Sequence, residues 1–374
     1  MQVMAGIRWI HAPSFIMDGP ASIRARLARR LVSAVRRILT SSSTASSSSI
    51  RQTRSAARPT VSVVIPAHAR IAKLRRCLEA LAAQTFPRGE FEVIVCDDGS
   101  PEPIAPALVE FNDRLSLTVV RQERRGPAAA RNEGARHATG TLLAFTDDDC
   151  VPEEDWLEHL VANMERYPGH LLGGSIVNLL EDDPYATATQ LITSCVYDYY
   201  ARHPESRRLY CTANFAVPRS RFWLLEGFSK QYQRAAEKDY DFCARWTEAG
   251  FPNHYAPEAT VGHAHGHSLP SFWRQHFGYG RALLRVRLGM AQRRGSGVIE
   301  LESPSFYRDI LSYPVDHAPG TRASRVVETM LVVLSQIATA VGAAREFIAP
   351  DEGWRGRARN GRQRAKSKVP SAIH

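Results

Sequence analysis

From Val61 onward, short runs rich in Val, Ile and Leu alternate with amphipathic segments of helix length, and this alternation limits the fold more than any other feature. Strands are expected at 61–65, 91–96, 117–120 and 142–146, with helices at 74–83 and 128–137. The strands are apolar throughout instead of every second residue, so both of their faces must be covered. That requirement points to βαβ units, right-handed crossovers and a mixed, mostly parallel sheet with helices on both faces, an α/β fold. Open sheets of this kind bind ligands beyond the carboxyl ends of their strands.

Three of the expected strands end in polar clusters: Pro66-Ala67-His68-Ala69, Asp97-Asp98-Gly99-Ser100 and Asp147-Asp148-Asp149. Asp and Gly are ordinary turn residues, but three such clusters at one sheet edge converge on one crevice. The acidic triplet is the sharpest of them, because three carboxylates together repel one another without a cation. Alternation along extended chain turns Asp147 and Asp149 to one side, towards a divalent metal or a sugar, and Asp148 to the other. The competing reading is an N-cap cluster for a helix starting near Pro152. Between the second and third clusters, Gly126-Pro127-Ala128-Ala129-Ala130-Arg131-Asn132-Glu133-Gly134 opens a helix whose free N–H groups suit an anion, with Arg131 one turn in. A solvent-facing arginine fits that position equally.

The net charge of +10 is uneven, with +9 in residues 1–60 and +5 in 351–374, which leaves the body near −4. A nucleic-acid-binding fold carries its basic residues on the folded surface, so no nucleic-acid partner is expected. The helical stretch 23–39 and the Ser-rich run 41–49 read as a disordered extension, and 351–374 as a disordered basic tail, in preference to the sharper reading of weak attraction for anionic lipid. Met17 is an alternative start to Met1. The six cysteines form no CxxC pair, no secretory signal is apparent, and a cytoplasmic protein with reduced thiols is expected. Residues 329–344 carry no charge, but 16 residues fall short of the roughly 20 that cross a bilayer, so a buried or surface-lying helix is expected there.

Val61-Ser62-Val63-Val64-Ile65-Pro66, Asp97-Asp98-Gly99-Ser100, the Ala130-Arg131-Asn132 segment and Asp147-Asp148-Asp149 in place of a DxD motif together resemble the family 2 glycosyltransferases of GT-A fold, over about 61–281. The resemblance implies a glycosyltransferase domain at 59–282, after the extension 1–58 and before a helical region 283–350 and the tail. It also implies a nucleotide-sugar site. Pro66 and His68 line the nucleoside pocket, Asp98 or Asp97 accepts a hydrogen bond from the base, and Asp147 lies near the ribose or sugar. Arg131 and Asp148 complete the donor side, and Asp149 holds Mn²⁺ or Mg²⁺. Enzymes with this fold commonly place a metal-binding His after a Val-x-His, so within Val261-Gly262-His263-Ala264-His265-Gly266-His267 the ligand is His263, with His265 second. A surface strand with exposed histidines is the plainer alternative.

The resemblance puts the catalytic base at Asp239 in Glu237-Lys238-Asp239-Tyr240-Asp241, with Asp241 and Trp273 on the acceptor side. The pattern is altered here: Lys238 stands where the family has Glu, and unless it points away its ammonium weakens Asp239 as a base. The segment 272–281 lacks the QxxRW motif of processive synthases. The expectation is an inverting, metal-dependent transfer of one sugar, UDP-linked by family weight, to a glycan, lipid-linked or small-molecule acceptor in cell-surface glycan synthesis. A place on the inner face of the cytoplasmic membrane suits it. The alternatives are a nucleotide-sugar-binding module inactivated through Lys238 and a nucleotidyltransferase.

Overall fold

The computed structural model describes residues 7–9, 60–203, 209–232, 237–264, 266–296 and 298–350. The expectations for 10–57, for the tail 351–374 and for His265 lie outside the described residues. Within the extension, β1 (Ile7–Trp9) is a short strand, parallel to β10 (Ile299–Leu301).

The apolar runs form the first half of an eight-stranded sheet. β2 (Val61–Ala67), β3 (Phe91–Asp98), β4 (Leu117–Gln122) and β5 (Leu142–Phe145) are mutually parallel in the order β4-β3-β2-β5. The order continues β8-β7-β9-β6 with β8 (Phe215–Pro218), β7 (Leu171–Asn178), β9 (Asn253–His263) and β6 (Cys150–Pro152). β8 is antiparallel to β5 and β7, β9 is parallel to β7, and β6 is antiparallel to β9. This is the mixed, mostly parallel sheet that the sequence implies. β2 and β3 extend past the apolar runs, because Ala67 still pairs with Asp97 and Asp98 with Gln122.

Alternation along β2 accounts for the covered faces. Val61, Val63 and Ile65 join one core with Leu74 and Leu78 of α1 (Ile71–Ala82) and Trp156 and Leu160 of α3 (Trp156–Arg166). Val64 joins the opposite core with Ala128 and Ala135 of α2 (Pro127–His137), beside Phe215, Phe222 of α5 (Arg219–Leu224), Phe228 and Phe242. Gly134 lets α2 lie tight on the sheet, since a Cβ there would meet Val64 Cγ1 at 2.6 Å. The capping alternative for the acidic triplet fails, because 150–152 is strand and α3 starts only at Trp156, with Asp155 in the cap position.

A third core joins α4 (Pro184–Arg202), α7 (Leu269–Arg294), α8 (Pro304–His317) and α9 (Arg322–Ile348). α7 runs unbroken through the expected boundary at 282. α9 has 27 residues, because it continues through Arg322–Glu328 and Arg345–Ile348 on either side of the uncharged run. It is therefore, by length and composition, long and apolar enough to cross a membrane, which corrects the count made from the uncharged residues alone. Gly280 and Gly342 set its seat on α7: a Cβ on Gly280 would meet Thr339 O at 1.8 Å, and one on Gly342 would meet Phe277 O at 2.0 Å.

Candidate active site

The ends of β2, β3 and β5 meet at one cavity of about 1010 Å³. His68 follows β2, and its Nδ1–H donates to the Asp98 carbonyl at 3.1 Å. Asp98, at the end of β3, accepts from Gln122 Nε2 (2.7 Å), Arg125 N (2.9 Å) and Gly126 N (2.8 Å), which ties down the turn before α2. Gly126 has φ +87°, left-handed backbone that glycine takes without strain. Asp97 is buried outside the cavity lining. Burial raises its carboxyl, but hydrogen bonds from Ser100 and Arg121 outweigh burial and hold it below the usual range.

In the acidic triplet, Asp147 and Asp149 line the cavity, and Asp148 turns into the protein. Asp147 pairs with the buried Arg131 of α2, and both residues line the cavity. Asp148 pairs with Arg70, whose Nε donates at 3.1 Å. Burial, and then the neighbouring Asp149 and Asp147, push Asp148 up to about 7 against the pull of Arg70. Asp149 pairs with Arg70 Nη1 at 2.8 Å and lies 3.5 Å from Lys73 Nζ. The cations that three clustered carboxylates need are thus already supplied by Arg70, Lys73 and Arg131. Sequence reasoning missed Arg70 and Lys73, because α1 brings them over the triplet from about 80 residues away.

β6 pairs Cys150 with His263 in register, and this brings His263 Nε2 to 3.4 Å from Asp149 Oδ1. Asp149, Cys150 and His263 offer ligand atoms within 4.8 Å of one another. Burial, and then the nearby carboxylates, hold the Cys150 thiol far above its usual range, so it keeps its proton. The usable donors are a carboxylate oxygen and an imidazole nitrogen, a set that fits Mn²⁺ or Mg²⁺ with the remaining positions left to water or phosphate oxygens. Among the described residues Arg70 is the cation nearest Asp149, so an entering metal has to displace or share that contact.

The opposite wall comes from α4, α6 (Glu237–Glu248), α7 and α9. Asp239 lines it, and its buried Oδ1 accepts no hydrogen bond from any described residue. Lys238 does not point away: it lines the same cavity, and its Nζ lies 3.6 Å from that oxygen. Asp241 is two residues on, about 200° round the helix, and so faces away. Its oxygens are bonded to Arg245 Nε (2.7 Å) and Arg293 Nη1 (3.0 Å), which removes it from the acceptor side. Trp273 also lies off the cavity: Ser271, Arg274, Gln275, Gly278 and Tyr279 share the lining face of α7, and residue 273 falls between its turns. His276 does line the cavity. Burial, with His267 adding to it, lowers its imidazole to about 4 and keeps it neutral. Helical spacing across 271–279 is the signal that identifies this face.

Residues 62–239 match the model of the family described as "Glycosyl transferase family 2". Over this segment, which carries the sheet-edge clusters of the cavity, the chain is similar to glycosyltransferase family 2, and its mixed sheet with helices on both faces suits the GT-A fold of that family. Among curated proteins it is 36% identical over 121 residues to "Glycosyltransferase AglE" of Haloferax volcanii, covering 32% of this chain and 40% of that one. It is 29% identical over 222 residues to "Validoxylamine A glucosyltransferase" of Streptomyces hygroscopicus subsp. jinggangensis, covering 52% and 53%. The chain thus spans about half the length, or less, of these relatives. Among solved structures it is similar to a mannosyltransferase from Pyrobaculum calidifontis in complex with GDP-Man and Mn²⁺, at 19% identity and TM-score 0.48, over 92% of this chain and 90% of that one.

Proposed function

We propose that the protein transfers a single sugar from a nucleoside-diphosphate sugar, uridine-linked in the first instance, to an acceptor hydroxyl with inversion. The carrying observation is that one cavity joins the acids at the sheet edge to Asp239, a buried carboxylate whose Oδ1 accepts no hydrogen bond from any described residue. Pro66 and His68 border the nucleoside end, and Asp98 holds the β4–α2 turn that walls it. Asp147 and Arg131 stand at the sugar and diphosphate. A divalent ion held by Asp149 and His263 would neutralise charge on the departing diphosphate. Asp239 takes the proton of the acceptor hydroxyl as that oxygen attacks the anomeric carbon from the face opposite the diphosphate. Arg70 and Lys73 keep the acid cluster charge-balanced before the donor binds. A cytoplasmic place on the inner membrane face fits this reading, with a cell-surface glycan or its lipid-linked precursor as acceptor.

A second reading, a binding module without turnover, is favoured by one observation: Lys238 lies beside Asp239 in the cavity. Nucleotidyl transfer has no such support, because the turn after β2 lacks a glycine and its left-handed residue is Ala69 (φ 56°). The test is release of nucleoside diphosphate from a panel of nucleotide sugars with Mn²⁺ or Mg²⁺, for wild type, Asp149→Ala and Asp239→Asn. Metal-dependent release lost in both variants supports transfer. Diphosphate binding that needs Asp149, with no release from any donor in the presence of candidate acceptors, supports the module instead.

A further inference from the structure

The polarity of α9 is inverted. Its buried side carries Glu328, Ser335, Ala338, Gly342 and Glu346, with Val332 and the partly buried Leu331 as its larger apolar residues. Its outer side carries Val326, Val327, Met330, Val333, Ile337 and Val341, and Phe347 and Ile348 at the end, each between 40 and 78% exposed. A helix packed on a soluble domain ordinarily buries the apolar stripe and exposes the polar one. α8, which packs on α9, exposes Leu311 and Val315 as well. An apolar surface of this extent marks an interaction site.

Charge identifies what covers it. Both acids of α9, Glu328 and Glu346, are buried, while its three basic residues, Arg322, Arg325 and Arg345, are exposed. On α9 the outer face therefore offers apolar side chains framed by arginines, and residues 351–374, which open with Asp351 and Glu352, continue the chain with a net +5. This combination suits an anionic lipid surface, where apolar residues enter the acyl boundary and arginines meet the headgroups. It suits a second copy of this chain poorly, since an isologous contact would set arginines against arginines. A crossing is disfavoured too. α9 is seated on α7 through Gly280 and Gly342, and Glu346 is bonded to Arg281 Nε (2.7 Å) and Arg285 Nε (2.7 Å). Insertion would break those pairs and put the carboxylates into hydrocarbon.

We propose that α9 is a membrane-surface helix that docks the protein, by its outer face, on anionic lipid. Gln336 and Thr339 of the same helix line the cavity, so docking holds the cavity wall against the bilayer. The docking stands independently of the transferase reading; that the acceptor is drawn from the membrane rests on it.

The test is flotation of the full chain with vesicles of phosphatidylcholine alone and of phosphatidylcholine with phosphatidylglycerol. The expected result is binding to the anionic vesicles and release by alkaline carbonate. Met330→Ser/Ile337→Ser/Val341→Ser should weaken partitioning roughly a hundredfold. Arg322→Gln/Arg325→Gln/Arg345→Gln should weaken binding to anionic vesicles by about as much and leave weak binding to neutral ones unchanged. Circular dichroism should show both variants folded. Absence of vesicle binding, or binding indifferent to the serine variant, overturns the proposal. So does retention after carbonate, which indicates a crossing, and so does a dimer in sedimentation that the serine variant dissociates. Should wild type and serine variant both lack donor turnover while vesicles still distinguish them, the catalytic reading falls and the docking stands.

Discussion

Asp148 shows how a single side chain settles the electrostatics of the site. It is fully buried, titrates near 7, and depends on Arg70 once it is ionised. A carboxyl raised in the fold contributes most when protonated, so stability falls as pH rises from the unfolded value of about 4 towards 7. Arg70→Ala should therefore destabilise the protein by about 1–3 kcal/mol at pH 8 and by clearly less at pH 5, read from urea midpoints at both values. Asp239→Asn should lower turnover roughly 10²- to 10⁴-fold, read from release of nucleoside diphosphate. The outward turn of Asp147 and Asp149 was legible in the sequence, because alternation in extended chain is a local rule. The counter-charge was not, because Arg70 and Lys73 meet the triplet only through the packing of α1.

Helical phase decided which motif residues reach the cavity. Asp239 and Asp241 read as a pair in the sequence, yet they lie on opposite sides of α6, and Trp273 fails for the same reason on α7. The parallel half of the sheet was legible from its apolar runs. The mixed half was less so, since β6 has three residues and β9 is long, irregular and half-exposed. α9 offers a check at this scale. Burial, and then Asp183, push Glu328 up to about 7, and its Oε2 accepts no hydrogen bond among the described residues. Its charged form is the unfavourable one, so Glu328→Gln should stabilise the fold at pH 8 by on the order of 1 kcal/mol after solvent screening, seen as a higher thermal midpoint, and leave it unchanged at pH 4.

Across the whole molecule, the C-terminal helices belong to the body that carries the site. Gly280→Ala, whose Cβ would collide with Thr339 O, should force α9 off α7 and cost about 1–3 kcal/mol, measured by thermal unfolding. Gly278→Ala, two residues away with nothing within 4 Å, should be neutral or slightly stabilising. An ionic chain ties the same helices to α6: Glu237 to Arg285 Nη1 at 3.1 Å, and Arg285 with Arg281 to Glu346. The family match ends at 239, two residues past Glu237, so the recognisable segment leaves out the groups that neutralise the start of its own last helix. Heredity should register that dependence. Across descendants of this chain, positions 237, 285 and 346 should change together or not at all, and a lineage that sheds the last helix should lose the acid at 237 with it.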